Sequence, residues 1–186
     1  MPPVSAEDPA AHLKGIAVRL KSELAEGQSA LKTAYEARGN AQALLRGRCQ
    51  LVDEVLKNLW QEARLPLGLS LVAVGGYGRR ELYPASDIDI LLLLPDNVAR
   101  ETERQLEQLI GLFWDIGLDI GHSVRTVWQC ADEAARDITV QTNLLESRLI
   151  CGSRSLYAEF TRTIQSQLDP RAFFKGKRLE QEERHV

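Results

Sequence analysis

The sequence predicts an α/β protein of the α+β type: a small mixed β-sheet with helices packed around it and a helical N-terminal extension. Three observations carry this. Apolar residues recur at helical spacing through the first third of the chain. Short apolar runs bounded by glycine, proline and aspartate follow in the middle, and helical spacing then returns. Three short strands make a small sheet, which helices must cover on at least one face.

In chain order, residues 1–10 read as a loose leader rich in proline, alanine and acids. From about Pro9 to Arg64 the pattern is helical, with Leu44, Leu45, Cys49, Val52, Val55, Leu56 and Leu59 marking one apolar face. Gly27, Gly39 and Gly47 weaken helix locally. A break near Gly27 is expected, giving two helices, and "RLPLGLS" stops the second. "LSLVAVGG" reads as a buried strand ending on glycine, and "DIDILLLL" as a second strand closed by "PDN". Val98 to Trp114 is an amphipathic helix with Leu106, Leu109, Ile110 and Phe113 on one side. "GLDIGHSVRTV" reads as a third strand. Residues 129–149 read as mainly helical, through Leu144, Leu145 and Leu149. "CGSRSLYAEF" restarts a helix with Ser153 or Ser155 as its cap, and Pro170 opens a last, strongly charged helix. The expected organisation is a helical extension over residues 1–65, a core over 66–152, and C-terminal helices over 153–186. The last of these is expected to lead toward further domains.

Composition narrows the function classes. The 186 residues are 44% hydrophobic and 26% charged, ordinary for a globular protein. The net charge of -3 argues against a general binder of nucleic acid or of anionic membranes. Cys49, Cys130 and Cys151 show no metal-ligand spacing and read as reduced structural thiols, which suits the cytoplasm. The N-terminus shows no signal peptide, and the longest apolar run is too short to span a bilayer.

The chemistry is concentrated in "VGGYGRRELYPASDIDILLLL", Val74 to Leu94. Strand alternation puts Asp87 and Asp89 on one side and Ile88 and Ile90 on the other. Two adjacent carboxylates repel unless a proton or a cation intervenes. Mg²⁺ takes hard oxygen ligands and is commonly shared between carboxylates and substrate phosphates. The "GGYG" turn allows the backbone to approach a ligand closely and to present N–H groups to an anion, with Arg79 and Arg80 beside it. GxxxxGK[ST] is absent, and GxGxxG fails because Glu81 stands where the last glycine belongs. The competing reading is a β-turn whose exposed acids cap a strand. The glycine pair after an apolar strand, at this distance from the acids, favours a site.

The tokens "AVGGYGR", "SDIDILLLL", "WDIGLDIGHSVRT" and "TNLLESRLICG" together resemble the bifunctional uridylyltransferase/uridylyl-removing enzymes that modify the PII nitrogen-signalling protein. These belong to the polymerase β-type nucleotidyltransferase superfamily. The resemblance runs from about residue 70 to 152. It implies transfer of UMP from UTP to a tyrosine hydroxyl of PII, with release of pyrophosphate and with Mg²⁺ as cofactor. It implies catalytic roles for Asp87, Asp89 and Asp119, with Asp87 and Asp89 as metal ligands. Gly75, Gly76, Gly78, Arg79, Ser86 and Arg125 form the implied nucleotide- and phosphate-binding set. The family's pattern has glycine where this chain has Arg80, whose side chain either points outward or touches phosphate.

The third carboxylate has two candidates. Asp119 shares a predicted strand face with Ser123 and Arg125, which is also consistent with a surface salt bridge. Glu146 is the rival, equally able to pair with Arg148 or cap a turn. His122, on the Leu118 and Val124 face, reads as a buried histidine; His12 and His185 read as solvated. Trp60, Trp114 and Trp128 read as packing residues, and Tyr77 as packing on a base or on a helix. The chain has no His-Asp dipeptide, so the uridylyl-removing activity is not expected here, and glutamine sensing is expected to lie in other domains. Two alternatives to UTP transfer are an ATP-dependent protein adenylyltransferase of the glutamine synthetase type and a non-catalytic nucleotide-binding module.

Overall fold

A computed structural model describes residues 9–183; of the leader expected over residues 1–10, the first eight lie outside them, as does His185, while Pro9 and Ala10 already belong to a helix. In chain order the elements are α1 (Pro9–Arg38), α2 (Ala41–Glu62), β1 (Ser70–Ala73), α3 (Gly75–Gly78), β2 (Ile88–Leu94), α4 (Arg100–Asp115), β3 (Ile120–Thr126), α5 (Val127–Arg136), α6 (Ile138–Leu145), β4 (Arg148–Gly152), α7 (Arg154–Ser166) and α8 (Pro170–Glu183). The chain forms two compact units. One comprises Met1–Pro66, Arg80–Ile88 and Val98–Gly121; the other comprises Leu67–Arg79, Asp89–Asn97 and His122–Val186.

The first unit is built on α1, α2 and α4. Ile16, Ala17, Leu20 and Leu24 are buried on α1, and Cys49, Val52, Val55, Leu56 and Leu59 on α2. On α4 the buried apolar residues are Leu106, Leu109, Leu112 and Phe113, with Ile110 half-buried. These spacings are those of amphipathic helices whose apolar stripes are removed from water, worth about 1.5–3 kcal/mol for each fully buried large side chain.

The helix break lies at Gly39, not near Gly27. Gly39 adopts φ +65, and Asn40 caps α2 by accepting the N–H of Ala43 at 3.0 Å. Gly27 stays inside α1 because its missing side chain serves packing. A Cβ there would sit 2.7 Å from Leu51 Cδ1, and one at Gly47 would collide with Leu31. Both glycines let α1 and α2 approach closely.

The second unit carries a four-stranded sheet of order β3-β2-β1-β4. β1 pairs antiparallel with β2, Leu71 opposite Leu92 and Val72 opposite Leu91, and antiparallel with β4, with an irregularity between Leu71 and Val72. The sheet is mixed: Ile88 N–H donates to the Asp119 carbonyl (2.9 Å), so β2 and β3 start side by side with α4 between them in sequence. Val72, Val74, Leu91 and Leu93 pack with Val127, Cys130 and Ala134 of α5, Leu144 of α6, and Phe160 and Ile164 of α7.

Residues 129–149 are mainly helical, as expected, through α5 and α6, but Leu149 is not part of a helix because β4 begins at Arg148. Asp137 ends α5 in an extended conformation and caps α6 by accepting the N–H groups of Thr139 and Val140. α6 stops at Leu145, and Leu149 lies on a strand that hydrogen-bonds to β1. Ser153 caps α7, accepting the Leu156 N–H at 3.2 Å.

Candidate active site

The glycine turn begins where β1 ends. Val74 N–H donates to the Asp89 carbonyl at 3.0 Å, and the chain then turns into the single turn of α3, closed by Gly78 N–H to Val74 and Arg79 N–H to Gly75. Gly75 adopts φ +57, a conformation that favours glycine. A Cβ there would lie 3.8 Å from Asp89 Oδ2 and 3.4 Å from Asn143 Oδ1. The Asp89 carboxylate therefore faces a patch of backbone that carries no side chain. Gly76 is half-buried. Gly78 has a packing reason, since a Cβ there would collide with the Glu146 carbonyl. Tyr77 is buried; the Arg148 guanidinium lies 5.3 Å from its ring centroid, and Arg148 Nη2 donates to its carbonyl at 3.4 Å. Of the two roles open for Tyr77, packing is the one it occupies.

After Arg79 the chain passes through Arg80, which is exposed and holds φ +66. A turn follows at Tyr83–Ser86, where Ser86 N–H and hydroxyl both donate to the Tyr83 carbonyl (3.1 and 2.9 Å). Ala85 holds φ +62 behind Pro84, as the third position of a type II turn requires. Arg48 of α2 braces this turn by donating to the carbonyls of Leu82 (3.2 Å) and Tyr83 (3.4 Å).

The turn delivers the chain to the acids. Asp87 is exposed, Ile88 buried, Asp89 half-buried and Ile90 buried, the alternation of an extended strand start. Asp119, just before β3, is exposed, and its carbonyl accepts the N–H of Ile88, the residue between Asp87 and Asp89.

The predicted phosphate-binding cations are engaged elsewhere. Arg79 pairs with Glu146, so the rival third acid meets an arginine other than Arg148. Arg125 is half-buried and pairs with Glu133 at 3.8 Å. His122 is exposed, contrary to the buried histidine expected. β3 is an edge strand, and Val124 on the same predicted face is exposed as well. Trp114 (59% exposed) and Trp128 (68%) are also not core residues, while Trp60 is half-buried. The thiols agree with a structural role: Cys49 and Cys130 are buried, and burial pushes the Cys130 thiol up to about 12.

Among the described residues, no three His, Cys, Asp or Glu side chains form a ready-made metal cluster. The donors at hand are nonetheless hard oxygens, the Asp87 and Asp89 carboxylates, with Asp89 beside the buried backbone of Gly75. That chemistry fits Mg²⁺, which takes one or two protein carboxylates and completes its shell with water and phosphate. Asn143 escapes sequence reasoning although it stands in the quoted "TNLLESR". Its signal is spatial, its approach to Gly75. No helix among the described residues is long and apolar enough to cross a membrane.

Comparison with known proteins agrees with this architecture. Residues 52–129 match the family model described as "Nucleotidyltransferase domain". The bifunctional uridylyltransferase/uridylyl-removing enzyme of Aromatoleum aromaticum is 49% identical over 166 residues, 89% of this chain and 19% of that protein. The protein of the same description from Chromobacterium violaceum is 51% identical over 166 residues, with the same coverages. That from Nitrosospira multiformis is 48% identical over 172 residues, again 89% of this chain and 19% of that protein. The chain thus spans about a fifth of the length of these curated relatives. A crystal structure titled as a toxin-antitoxin with AMP-PNP shares 14% identity and a TM-score of 0.42, over 72% of this chain and 98% of that one, too distant a likeness to carry an argument. With a glycine turn facing a strand carboxylate and about half of the aligned residues identical to those of these relatives, the chain carries a nucleotidyltransferase domain similar to a stretch of the bifunctional uridylyltransferase/uridylyl-removing enzymes.

Proposed function

We propose that this chain holds the transfer site of a PII uridylyltransferase. UMP passes from UTP to a tyrosine hydroxyl of PII, and pyrophosphate leaves. The observation that carries the reading is the Asp89 carboxylate set against the side-chain-free backbone of Gly75. A triphosphate lying on that turn meets backbone N–H groups and a carboxylate positioned for a shared cation. The relatives' names supply the uridylyl group, and UTP is therefore favoured over ATP.

In this reading Asp87 and Asp89 hold Mg²⁺, which when bound neutralises charge on the α-phosphate and on the departing pyrophosphate. Gly75 and Gly76 leave room for the phosphates to lie against the backbone. Asp119 accepts the proton of the attacking tyrosine hydroxyl as its oxygen bonds to the α-phosphorus and the bond to the β-phosphate oxygen breaks. Arg79 pairs with Glu146 and Arg125 with Glu133, so in this reading a move of either guanidinium onto phosphate competes with its carboxylate partner. Partly exposed pairs of this kind are worth at most about 1 kcal/mol, a small barrier to that move. The setting is the cytoplasm, the protein partner is PII, and glutamine acts through other domains of the full-length protein.

The test is pyrophosphate release by the full-length protein with PII, offered UTP or ATP, with and without Mg²⁺. The reading predicts Mg²⁺-dependent release with UTP and none without PII. Preference for ATP would replace it with protein adenylylation, and nucleotide binding without turnover would leave a binding module.

A further inference from the structure

We propose that Asn143 is a nucleotide-contacting residue, its carboxamide set beside the Asp89 carboxylate at the Gly75 backbone. The proposal rests on the transfer reading above and adds a residue to it. A Cβ on Gly75 would lie 3.4 Å from Asn143 Oδ1 and 3.8 Å from Asp89 Oδ2. Polar side chains from two elements, α6 and β2, thus converge on one patch of backbone that has no side chain of its own.

The local sequence explains how Asn143 arrives there. Asp137 starts α6 and fixes its phase by capping Thr139 and Val140. Leu144 is buried in the cluster with Val72 and Leu91. One residue earlier on a helix is a rotation of about 100°, which turns Asn143 out of that cluster. The end of α6 is held against α3 by the close approach of Gly78 to the Glu146 carbonyl and by the Arg79–Glu146 pair. The amide is carried to the glycine turn by packing that does not use the amide itself.

Asn143 is half-buried, and among the described residues its carboxamide has no hydrogen-bond partner. A carboxamide offers two donors and an acceptor, which are available to a ligand in place of solvent. A nucleoside triphosphate supplies the matching groups, phosphate oxygens and ribose hydroxyls. Being neutral, the amide adds no repulsion to the Asp89 carboxylate or to the triphosphate, which a carboxylate at 143 would do.

The experiment uses the full-length enzyme and a non-hydrolysable UTP analogue with Mg²⁺, binding measured by calorimetry and transfer to PII measured separately. Asn143→Ala is expected to weaken analogue binding and raise the KM for UTP by about tenfold, the scale of one lost hydrogen bond, with kcat changed far less and the melting temperature kept. Asn143→Asp, nearly isosteric, is expected to bind more weakly still. Wild-type binding and KM in a folded Asn143→Ala enzyme would overturn the proposal. If that variant melts early, wild-type binding by Asn143→Asp would do the same. A wild-type enzyme that neither binds the analogue nor transfers UMP would instead overturn the transfer reading beneath it.

Discussion

The backbone carbonyl of Asp119 accepts a hydrogen bond from the N–H of Ile88 at 2.9 Å. Ile88 is the residue between Asp87 and Asp89, so the main chain at Asp119 is tied to the middle of the acid pair. That bond survives any change of the Asp119 side chain. Asp119→Asn is therefore expected to keep the fold and the KM for UTP while lowering kcat about 10²–10⁴-fold, the usual contribution of a general base. Steady-state kinetics of the full-length enzyme checks this, and an unchanged kcat returns the choice of third acid to Glu146.

Arg80 occupies φ +66, where an L-residue is strained by about 1–2 kcal/mol. Glycine relieves that strain but enlarges the unfolded ensemble at a cost of about 0.4–1 kcal/mol. Relief of strain outweighs that cost, so Arg80→Gly is expected to stabilise the chain by about 0.5–1 kcal/mol. Denaturant unfolding measures it. The glycine that the resemblance implies at this position would then serve the backbone rather than a phosphate contact.

Gly75 and Gly78 separate by the kind of damage a methyl group does. Gly78→Ala drives a Cβ into the Glu146 carbonyl, a backbone atom that cannot move aside cheaply. It is expected to cost about 1–3 kcal/mol or more of stability. Gly75→Ala meets only ordinary contacts and is expected to cost about 1–2 kcal/mol through its φ of +57. Its larger effect is weaker UTP binding, because the methyl enters the space before Asp89. Thermal melts and nucleotide titrations of the two variants show the contrast.

Cys130 gives the fold a pH dependence. Burial chiefly raises its thiol from the ordinary 9.0 to about 12; the Arg125 charge opposes this and Glu133 adds to it. The folded state thus holds the thiol proton more tightly than the unfolded state does. Stability is fully present below pH 9 and falls as pH rises toward 12, by up to about 1.4 kcal/mol per unit. Urea unfolding of wild type and Cys130→Val across about pH 8–11 is expected to show a shallower alkaline decline in the variant.

The helical faces, the first two strands and the Asp-x-Asp alternation are legible in the sequence, because each is a local periodicity. β4 is not. "RLICG" is five residues long, adjoins a helical pattern, and becomes a strand only by pairing with β1. The helix break falls at Gly39, which carries the positive φ, while Gly27 signals close packing against Leu51 rather than a turn. Alternation alone makes His122 a buried residue, yet β3 is a sheet edge and leaves it exposed. The engagement of Arg79 by Glu146 joins residues 67 positions apart, and the approach of Asn143 to Gly75 spans one more. No spacing rule reaches that far.

The most direct measurement is transfer of label from α-phosphate-labelled UTP to PII by the full-length enzyme carrying Asp89→Asn. The change keeps the shape of the side chain and removes its charge, so the melting temperature should hold. Labelling is expected to fall by about a hundredfold or more. Wild-type labelling by the folded variant would contradict the assignment of Asp89 and, with it, the site.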